Sequence, residues 1–377
     1  MAAGDLEMEP SEESFPDAAE TSQRALGVDP PRTDAIEQGL QAADSSWPAQ
    51  VRKEECLIEV ARLLRELGEQ PLGVSDPAIK LSHRCPLEQF QEMLGEQQRA
   101  WDGVDPEGVH KMRVATRRIR AAFRAFKGVL PAATIKEFNG QFKWVGDVLG
   151  AVRDLDVYQE NLRHYTAEMP EEDGTCLVDY QQHLAESWRH ARDNLLACLS
   201  SQRYLELLDG FTEFLELSPI ETAAKTDGTR AIGDAATRLI GKQYKKVLHN
   251  GRAIMAESPD EALHSLRMDC KRLRYLFEFF QPIYGKSLSP FVKQLKALQD
   301  VLGEFQDACV ATQRLRQYAE CVPMQAKNRG QLIALGQLIY SQGQQAADRR
   351  ARFHEVWKHF DRKGQRKQIL RLLGTED

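Results

Sequence analysis

Residues 109–127 read VHKMRVATRRIRAAFRAFK and predict an amphipathic helix. Asp105 precedes this segment as an N-cap residue, and Pro106 occupies the first helical position, which is a common helix start. Five basic residues recur at intervals of three and four, so they share one face, here called the first basic row: His110, Arg113, Arg117, Arg120 and Arg124. The apolar residues occupy nearly the opposite face: Met112, Ala115, Ile119, Ala122, Phe123 and Phe126. The segment therefore predicts one buried face and one cationic face.

A second copy of this helix occurs at residues 263–280, LHSLRMDCKRLRYLFEFF. The second basic row consists of His264, Arg267, Lys271 and Arg274 at the same spacing. Ser258-Pro259 predicts the helix start, and Glu261 is placed to complete a capping box. The second row ends at Glu278, where the first copy has Arg124, so the two faces are not equivalent.

The similarity extends into the next segment of each copy. DVLGAVRDLDV (147–157) corresponds to DVLGEFQDACV (300–310), and Lys143 corresponds to Lys296. A period of about 154 residues is far longer than a solenoid repeat and indicates two bundle-sized halves related by duplication. Core packing explains the repeated phenylalanines and leucines, but it does not explain a histidine and three like charges on one face in both copies.

The rest of the chain is predicted to be helical, with short connections that favour antiparallel bundles. Beside the two copied segments, the predicted helices are 51–68, 87–101, 132–149, 153–167, 176–200, 204–217, 229–257, 288–303, 305–321 and 328–359, and the second copied helix is predicted to span 261–281. Residues 73–86 and 218–228 are predicted linkers. Residues 1–50 are acidic, show little periodicity and are predicted to be largely disordered. An acidic arm that masks a basic site is an alternative for this segment.

Composition excludes several classes of protein. The net charge is −6, but residues 1–80 carry −10, which leaves a mildly basic body. The seven cysteines are scattered without a CxxC pair, which argues for reduced thiols rather than zinc or disulfides. No apolar run is long enough for a membrane span, and the N-terminus shows no secretory signal. We therefore expect a cytoplasmic protein.

Enzymatic motifs are missing from the sequence. It contains no GxxxxGK[ST], GxSxG or HExxH. Five acidic residues lie around predicted helix ends after Gly150 and Gly303: Asp147, Asp154, Asp156, Asp300 and Asp307. We expect them to cap helix ends or hold the arginines, rather than to catalyse or bind a metal. No catalytic residue, metal or cofactor is predicted.

A basic row on one helix is usually a solvated face, but here acids are not placed to relieve it and it occurs twice. Guanidinium groups at this spacing match phosphate oxygens in charge and geometry. Two rows facing each other would favour a linear polyanion; inorganic polyphosphate fits best, followed by nucleic acid and small polyphosphorylated molecules. A histidine beside phosphate would favour its protonated form, so binding should tighten below neutral pH.

Both copies resemble the CHAD family, the conserved histidine α-helical domain, through HKMRVATRRIR (110–120), HSLRMDCKRLRY (264–275), LG-x2-RD-x-DV (149–157) and LG-x3-D (302–307). The resemblance implies an all-α fold with two four-helix bundles, related by pseudo-two-fold symmetry around a basic pore that binds polyphosphate. By motif, the implied ligand residues are His110, Arg113, Arg117, Arg120, His264, Arg267, Lys271 and Arg274, with Arg124, Lys143, Arg153, Lys293 and Lys296 as further candidates. Arg118 and Arg272 match the motif but point away from the rows. Gln306 in place of Arg153, and Glu278 in place of Arg124, imply weaker binding by the second half.

The predicted organisation follows from this resemblance. It comprises an acidic arm (1–50), a short helix and linker (51–84), a CHAD domain (85–362) and a C-terminal tail (363–377). The domain divides into a first half (85–217), a linker (218–228) and a second half (229–362). Many members follow a triphosphate-tunnel domain with an E-x-E-x-K signature, which residues 1–80 do not contain.

We therefore predict a stand-alone, non-enzymatic polyphosphate-binding module that associates with polyphosphate granules. The alternatives are a nucleic-acid-binding helical protein and a helical scaffold for acidic partners. Nucleic acid is disfavoured because the rows carry no aromatic residues for base stacking. A membrane is not expected as a partner, and the prediction leaves a homo-oligomer open.

Overall fold

The computed structural model describes residues 48–68, 71–170, 174–217 and 227–374, and it is helical throughout, with no strand in these ranges. The α-helices are α1 (Pro48–Gly68), α2 (Ala78–Asp102), α3 (Pro106–Ala125), α4 (Ala132–Glu168), α5 (Val178–Leu199), α6 (Gln202–Glu216), α7 (Ile232–Arg252), α8 (Asp260–Tyr284), α9 (Ser289–Cys321), α10 (Arg329–Phe360) and α11 (Lys363–Leu372). Helices α2–α5 form the first bundle and α7–α10 the second, which confirms the all-α prediction. The predicted disordered arm up to residue 47, most of the predicted linker (218–226) and residues 375–377 lie outside the described residues.

Helix α3 begins as its sequence predicts. The Asp105 side chain accepts a hydrogen bond from the backbone N–H of Glu107, and Pro106 is the first helical residue. The predicted apolar face is buried, with Met112 and Ile119 both fully enclosed. Burying a side chain of this size contributes about 1.5–3 kcal/mol. The opposite basic face is thereby held toward the neighbouring bundle.

Two short interruptions predicted from the sequence are wrong. Helix α4 continues through Gly150 and α9 continues through Gly303, so each pair of predicted helices is one helix. Glycine inside a helix costs roughly 1 kcal/mol relative to alanine. A Cβ atom at Gly150 would lie 3.4 Å from Nε of Arg113, which explains the glycine as space for a crossing side chain rather than as a helix stop. The acidic residues of these segments are consequently not at helix ends, and the prediction that they act as caps is wrong.

Several helix ends also differ from prediction. Helix α2 begins at Ala78 inside the predicted linker and passes through Pro86, because buried residues of this segment such as Ile79 pack in the core. The predicted C-terminal tail contains α11, whose Ile369 is buried. The predicted capping box at the start of α8 is wrong, because the Ser258 hydroxyl accepts from the backbone N–H of Met255 instead.

Residues at equivalent positions of the two halves meet, as two-fold symmetry requires. Just before α2 and α7, the backbone N–H of Ala78 donates to Arg230 at 2.7 Å, and the N–H of Ile232 donates to Asp76 at 2.8 Å. At the other end of the interface the rings of Phe126 and Phe280 are 6.1 Å apart. These contacts place α3 beside α8 and bring the basic faces of the two bundles together.

Candidate anion-binding site

The centre of the site lies where the two basic rows meet. Lys271 on α8 is surrounded by cations from both halves, and burial lowers its pKa to about 6. This value includes a smaller lowering by the charges of Arg267, Arg117 and Arg113 and the opposing effect of the Asp307 carboxylate. Arg117 and Lys271 are equivalent residues of the two rows, so the pseudo-symmetry axis passes through this cationic cluster.

Two carboxylates lie inside the cluster, one from each half. Asp154 on α4 is 3.4 Å from the Arg113 guanidinium, and Asp307 on α9 is 3.8 Å from that of Arg267. Burial raises the pKa of both acids, and the nearby cations oppose that rise. The prediction that these acids hold the arginines agrees with this geometry. Two carboxylates only partly balance the three arginines around Lys271.

The two histidine ends of the site differ. His110 faces Arg153 of α4, and burial and the charge of Arg153 lower the pKa of the imidazole. At the equivalent place in the second half, Gln306 takes the position of Arg153, and its Oε1 atom is 2.9 Å from Nδ1 of His264. The first half therefore places an arginine beside its histidine, whereas the second half places a hydrogen-bonded glutamine there.

From Arg117, which belongs to the central cluster, the first row continues through Arg120 to Arg124. Nε of Arg117 donates to the Tyr275 hydroxyl across the interface at 2.6 Å. Arg120 is half-buried, lies 3.4 Å from Oδ1 of Asn139, and has a pKa lowered by burial. Arg124 is exposed at the far end of the row.

Glu278 removes part of the charge of the second row. Its carboxylate binds Arg118 of the first half at 2.8 Å and lies 3.4 Å from Nε of Arg274. Arg272 pairs with Asp269 and points away from the second row as predicted, whereas Arg118 reaches Glu278 at the end of that row. The acid at position 278 thus neutralises one wall of the site.

The lysine candidates are peripheral. Lys143 pairs with Asp147 at 2.7 Å on the surface of α4. Lys293 and Lys296 are exposed on α9, and no ion pair within the described ranges includes them. Their part in binding stays a prediction.

Sequence reasoning missed two residues of the site. Tyr275 orients Arg117, and Arg314 of α9 lies near Asp154, with its guanidinium 4.2 Å above the Tyr158 ring. Neither position carries the same residue in the first half, where Ala121 and Asn161 occupy the equivalent positions. The internal repeat therefore contained no signal for them.

Other kinds of site find little support in the part of the chain that the structure describes. These residues contain no group of three or more His, Cys, Asp or Glu side chains arranged to hold a metal ion. None of the helices described is long and apolar enough to cross a membrane. The chemistry available at the interface is therefore that of fork-shaped donors and positive charge, which suits phosphate oxygens.

These features define a duplicated helical domain with a cationic interface between its halves, and comparison with known families identifies it. The CHAD domain model matches residues 87–316, so the chain belongs to the CHAD family. An uncharacterized protein found in two strains of Mycobacterium tuberculosis is 30% identical over 301 residues, which cover 75% of this chain and 53% of the relative. The chain thus spans about half the length of the curated relatives it matches.

Solved structures support the same fold. The crystal structure of the CHAD domain from the plant Ricinus communis superposes with a TM-score of 0.62 and 26% identity, over 76% of this chain and 93% of that one. PptA from Streptomyces chartreusis superposes with a TM-score of 0.59 and 20% identity, over 75% and 99%. Both similarities agree with the arrangement of two bundles around one interface.

Proposed function

We propose that this protein binds inorganic polyphosphate, without catalysing its breakdown, at the interface between α3 and α8. The proposal is carried by one observation: arginines from both halves converge on Lys271. Its burial and their charges lower the pKa of this lysine, so the free site favours the uncharged amine. A flexible, densely charged chain would relieve the repulsion among these charges along its whole length. Family membership supports the same ligand, because the CHAD resemblance implies polyphosphate binding at these positions.

Geometry favours a linear anion over a compact one. The rows extend from His110 to Arg124 on α3, which is about 21 Å at 1.5 Å per residue. Orthophosphate would occupy one or two guanidinium groups, whereas a chain can contact the cluster and both histidine ends. Phosphate contacts release counterions, so binding should weaken as salt rises.

Calorimetric titration with long-chain polyphosphate, orthophosphate and single-stranded RNA tests the proposal. We expect polyphosphate to bind most tightly, and the double variant Arg113→Ala/Arg267→Ala to lose at least about 100-fold, since each charged hydrogen-bonding group is worth roughly 1.5–3 kcal/mol. The matched control is Lys111→Ala, which removes a cation of the same helix that pairs with Glu96 of α2 instead. Stronger binding of RNA, or equal losses in the control and the double variant, would contradict the proposal.

Localisation follows as a second test. We propose that the protein associates with polyphosphate granules through the same residues. A fluorescent fusion expressed in granule-forming cells should co-localise with the granules, and Arg113→Ala/Arg267→Ala should become diffuse. Unchanged localisation of the double variant would show that another surface targets the protein.

A further inference from the structure

A cleft of about 570 Å³ opens beside the first histidine end and is not part of the duplicated site. Its walls come from the start of α3, the second part of α4 and the middle of α5. The residues that matter for its chemistry are Val109, Arg153, Val157, Trp188 and Arg192. This volume lies within the range of about 300–1,000 Å³ that is usual for small-molecule sites.

The cleft continues the line of the basic row. Along the contact of α3 with α4, Gly150 faces Arg113 and Arg153 faces His110. Val157 follows Arg153 by about one turn, roughly 6 Å further along α4, and lines the cleft. A ligand with phosphates at His110 and Arg153 could therefore place its next group in the cleft.

Arg153 has its charge available at this junction. It takes part in no hydrogen bond or ion pair within the described ranges, and it lines the cleft while lying near His110. Arg192, by contrast, is buried, and its guanidinium donates to the carbonyl oxygens of Ala100 and Trp101 at the end of α2. The cationic side of the cleft thus faces the row.

The opposite side of the cleft carries the indole of Trp188, and the exposed carboxylates that also line the cleft, Asp105 and Glu160, are paired with Arg99 and Arg163. Nε1 of Trp188 donates to Oδ1 of Asp156 at 2.7 Å, which fixes the indole against α4. Since its only polar group is already bound, the indole can offer a ligand only its ring surface. With Val109 and Val157 it forms a wall suited to a flat heterocycle.

The second half has lost the corresponding features. Gln306 replaces Arg153, and Cys309 replaces Asp156 with its Sγ 4.0 Å from Oδ2 of Asp260. Arg350 is the counterpart of Arg192, because its guanidinium also binds carbonyl oxygens after the first helix of its bundle, at Ala256 and Ser258.

By this correspondence Ala346 occupies the position equivalent to Trp188, so the aromatic wall is confined to the first half. Because the aromatic wall occurs in one half only, the two basic rows, which both halves share, do not explain it.

We propose that this cleft binds the base of a nucleotide whose phosphates lie against Arg153 and His110. The proposal rests on the proposed function only in placing phosphate at the histidine end of the first row. Base stacking on an aromatic side chain is the interaction that distinguishes such a ligand from an inorganic chain with the same number of phosphates.

The test compares ATP with inorganic tripolyphosphate by calorimetry on the full chain in metal-free buffer, because the two ligands carry equal numbers of phosphates. ATP should bind at least about fivefold more tightly, the lower end of the stacking contribution. Trp188→Ala should abolish that preference while leaving affinity for long-chain polyphosphate within about twofold. The matched control is Trp144→Ala, a tryptophan of α4 that lies under Arg203 outside the cleft.

A second variant covers the chance that Trp188→Ala does not fold. Val157→Phe fills the cleft and should remove the preference for ATP without weakening tripolyphosphate binding. Equal affinities of the wild type for ATP and tripolyphosphate, or a preference that survives both cleft variants, would overturn the proposal. Loss of polyphosphate binding with retained, Trp188-dependent ATP binding would instead contradict the proposed function and leave this site standing.

Discussion

Lys271 should take up a proton when a polyanion binds. Its pKa in the free protein is about 6 because the side chain is buried among Arg267, Arg117 and Arg113, with Asp307 as the opposing charge on α9. At pH 8 the free amine is then only about 1% protonated. A bound phosphate chain supplies the missing counter-charge and should return this pKa toward the ordinary lysine value of about 10.4.

The sign and size of the effect follow from this shift. Because the pKa is higher in the bound state, binding is strongest below the free-state pKa of about 6 and weakens as pH rises through the interval between the two values. Within that interval the affinity should fall about tenfold per pH unit, or about 1.4 kcal/mol. Near pH 8 each binding event should take up nearly one proton at this residue.

Calorimetry at pH 8 in buffers of different ionisation enthalpy measures this proton uptake directly, at fixed ionic strength and with long chains whose terminal groups are few. Lys271→Arg keeps the charge at all pH values and should reduce the uptake close to zero. Lys296→Gln, an exposed lysine of α9, is the matched control and should retain the uptake. His110→Gln/His264→Gln removes any contribution of the imidazoles.

Two results would refute the reasoning. One is a wild-type uptake below about 0.3 proton at pH 8, and the other is an uptake in Lys271→Arg equal to that of the wild type. Either result would mean that Lys271 does not change its protonation when the anion binds. The convergence of the two rows would then be a weaker electrostatic feature than the structure indicates.

Three further substitutions test particular contacts. Gly150→Ala should raise the free energy of unfolding by about 0.5–1 kcal/mol, yet weaken polyphosphate binding several-fold, because the new methyl group would contact Arg113 and restrict its guanidinium. Asp154→Asn should tighten binding roughly three- to tenfold, since it removes an anion that competes for the same guanidinium. Gly251→Ala should destabilise the second bundle by about 1–3 kcal/mol, measured by denaturant unfolding, because its Cβ would clash with the Trp357 ring.

Each of these variants has a matched control. Gly140→Ala in α4 and Gly241→Ala in α7 place methyl groups where nothing lies within 4 Å, so both should stabilise without affecting binding. Asp209→Asn removes a carboxylate that contacts Arg52 far from the site, and it should leave affinity unchanged. A binding loss in Gly140→Ala, a gain in Asp209→Asn, or equal stability of the two α7 variants would contradict the respective explanation.

Local sequence was sufficient for the helices that carry the site. Asp105-Pro106 specifies the start of α3, and the spacing from His110 to Arg120 specifies which face is charged, because both depend only on helix geometry. The prediction from local sequence was wrong at Gly150 and Gly303, where the low helix propensity of glycine suggested the end of a helix. The glycines serve a neighbouring helix, and single-helix reasoning does not include that neighbour.

The asymmetry of the site was only partly visible in the sequence. Gln306 and Glu278 stand out when the two copies are aligned, and the structure shows what they do, through His264 and Arg118. The sequence did not single out Trp188, because the role of this residue depends on the packing of its helix against α4.

The sequence alone determined that this protein is a duplicated all-α chain with two basic faces, because periodicity and repetition are properties of the chain itself. Only the tertiary structure decided that these faces meet at Arg117 and Lys271, and that Asp154 and Asp307 lie between them. The reason is physical. A helix fixes the direction of its side chains along one axis, whereas the crossing of two helices is set by the packing of their buried faces, such as Phe126 against Phe280.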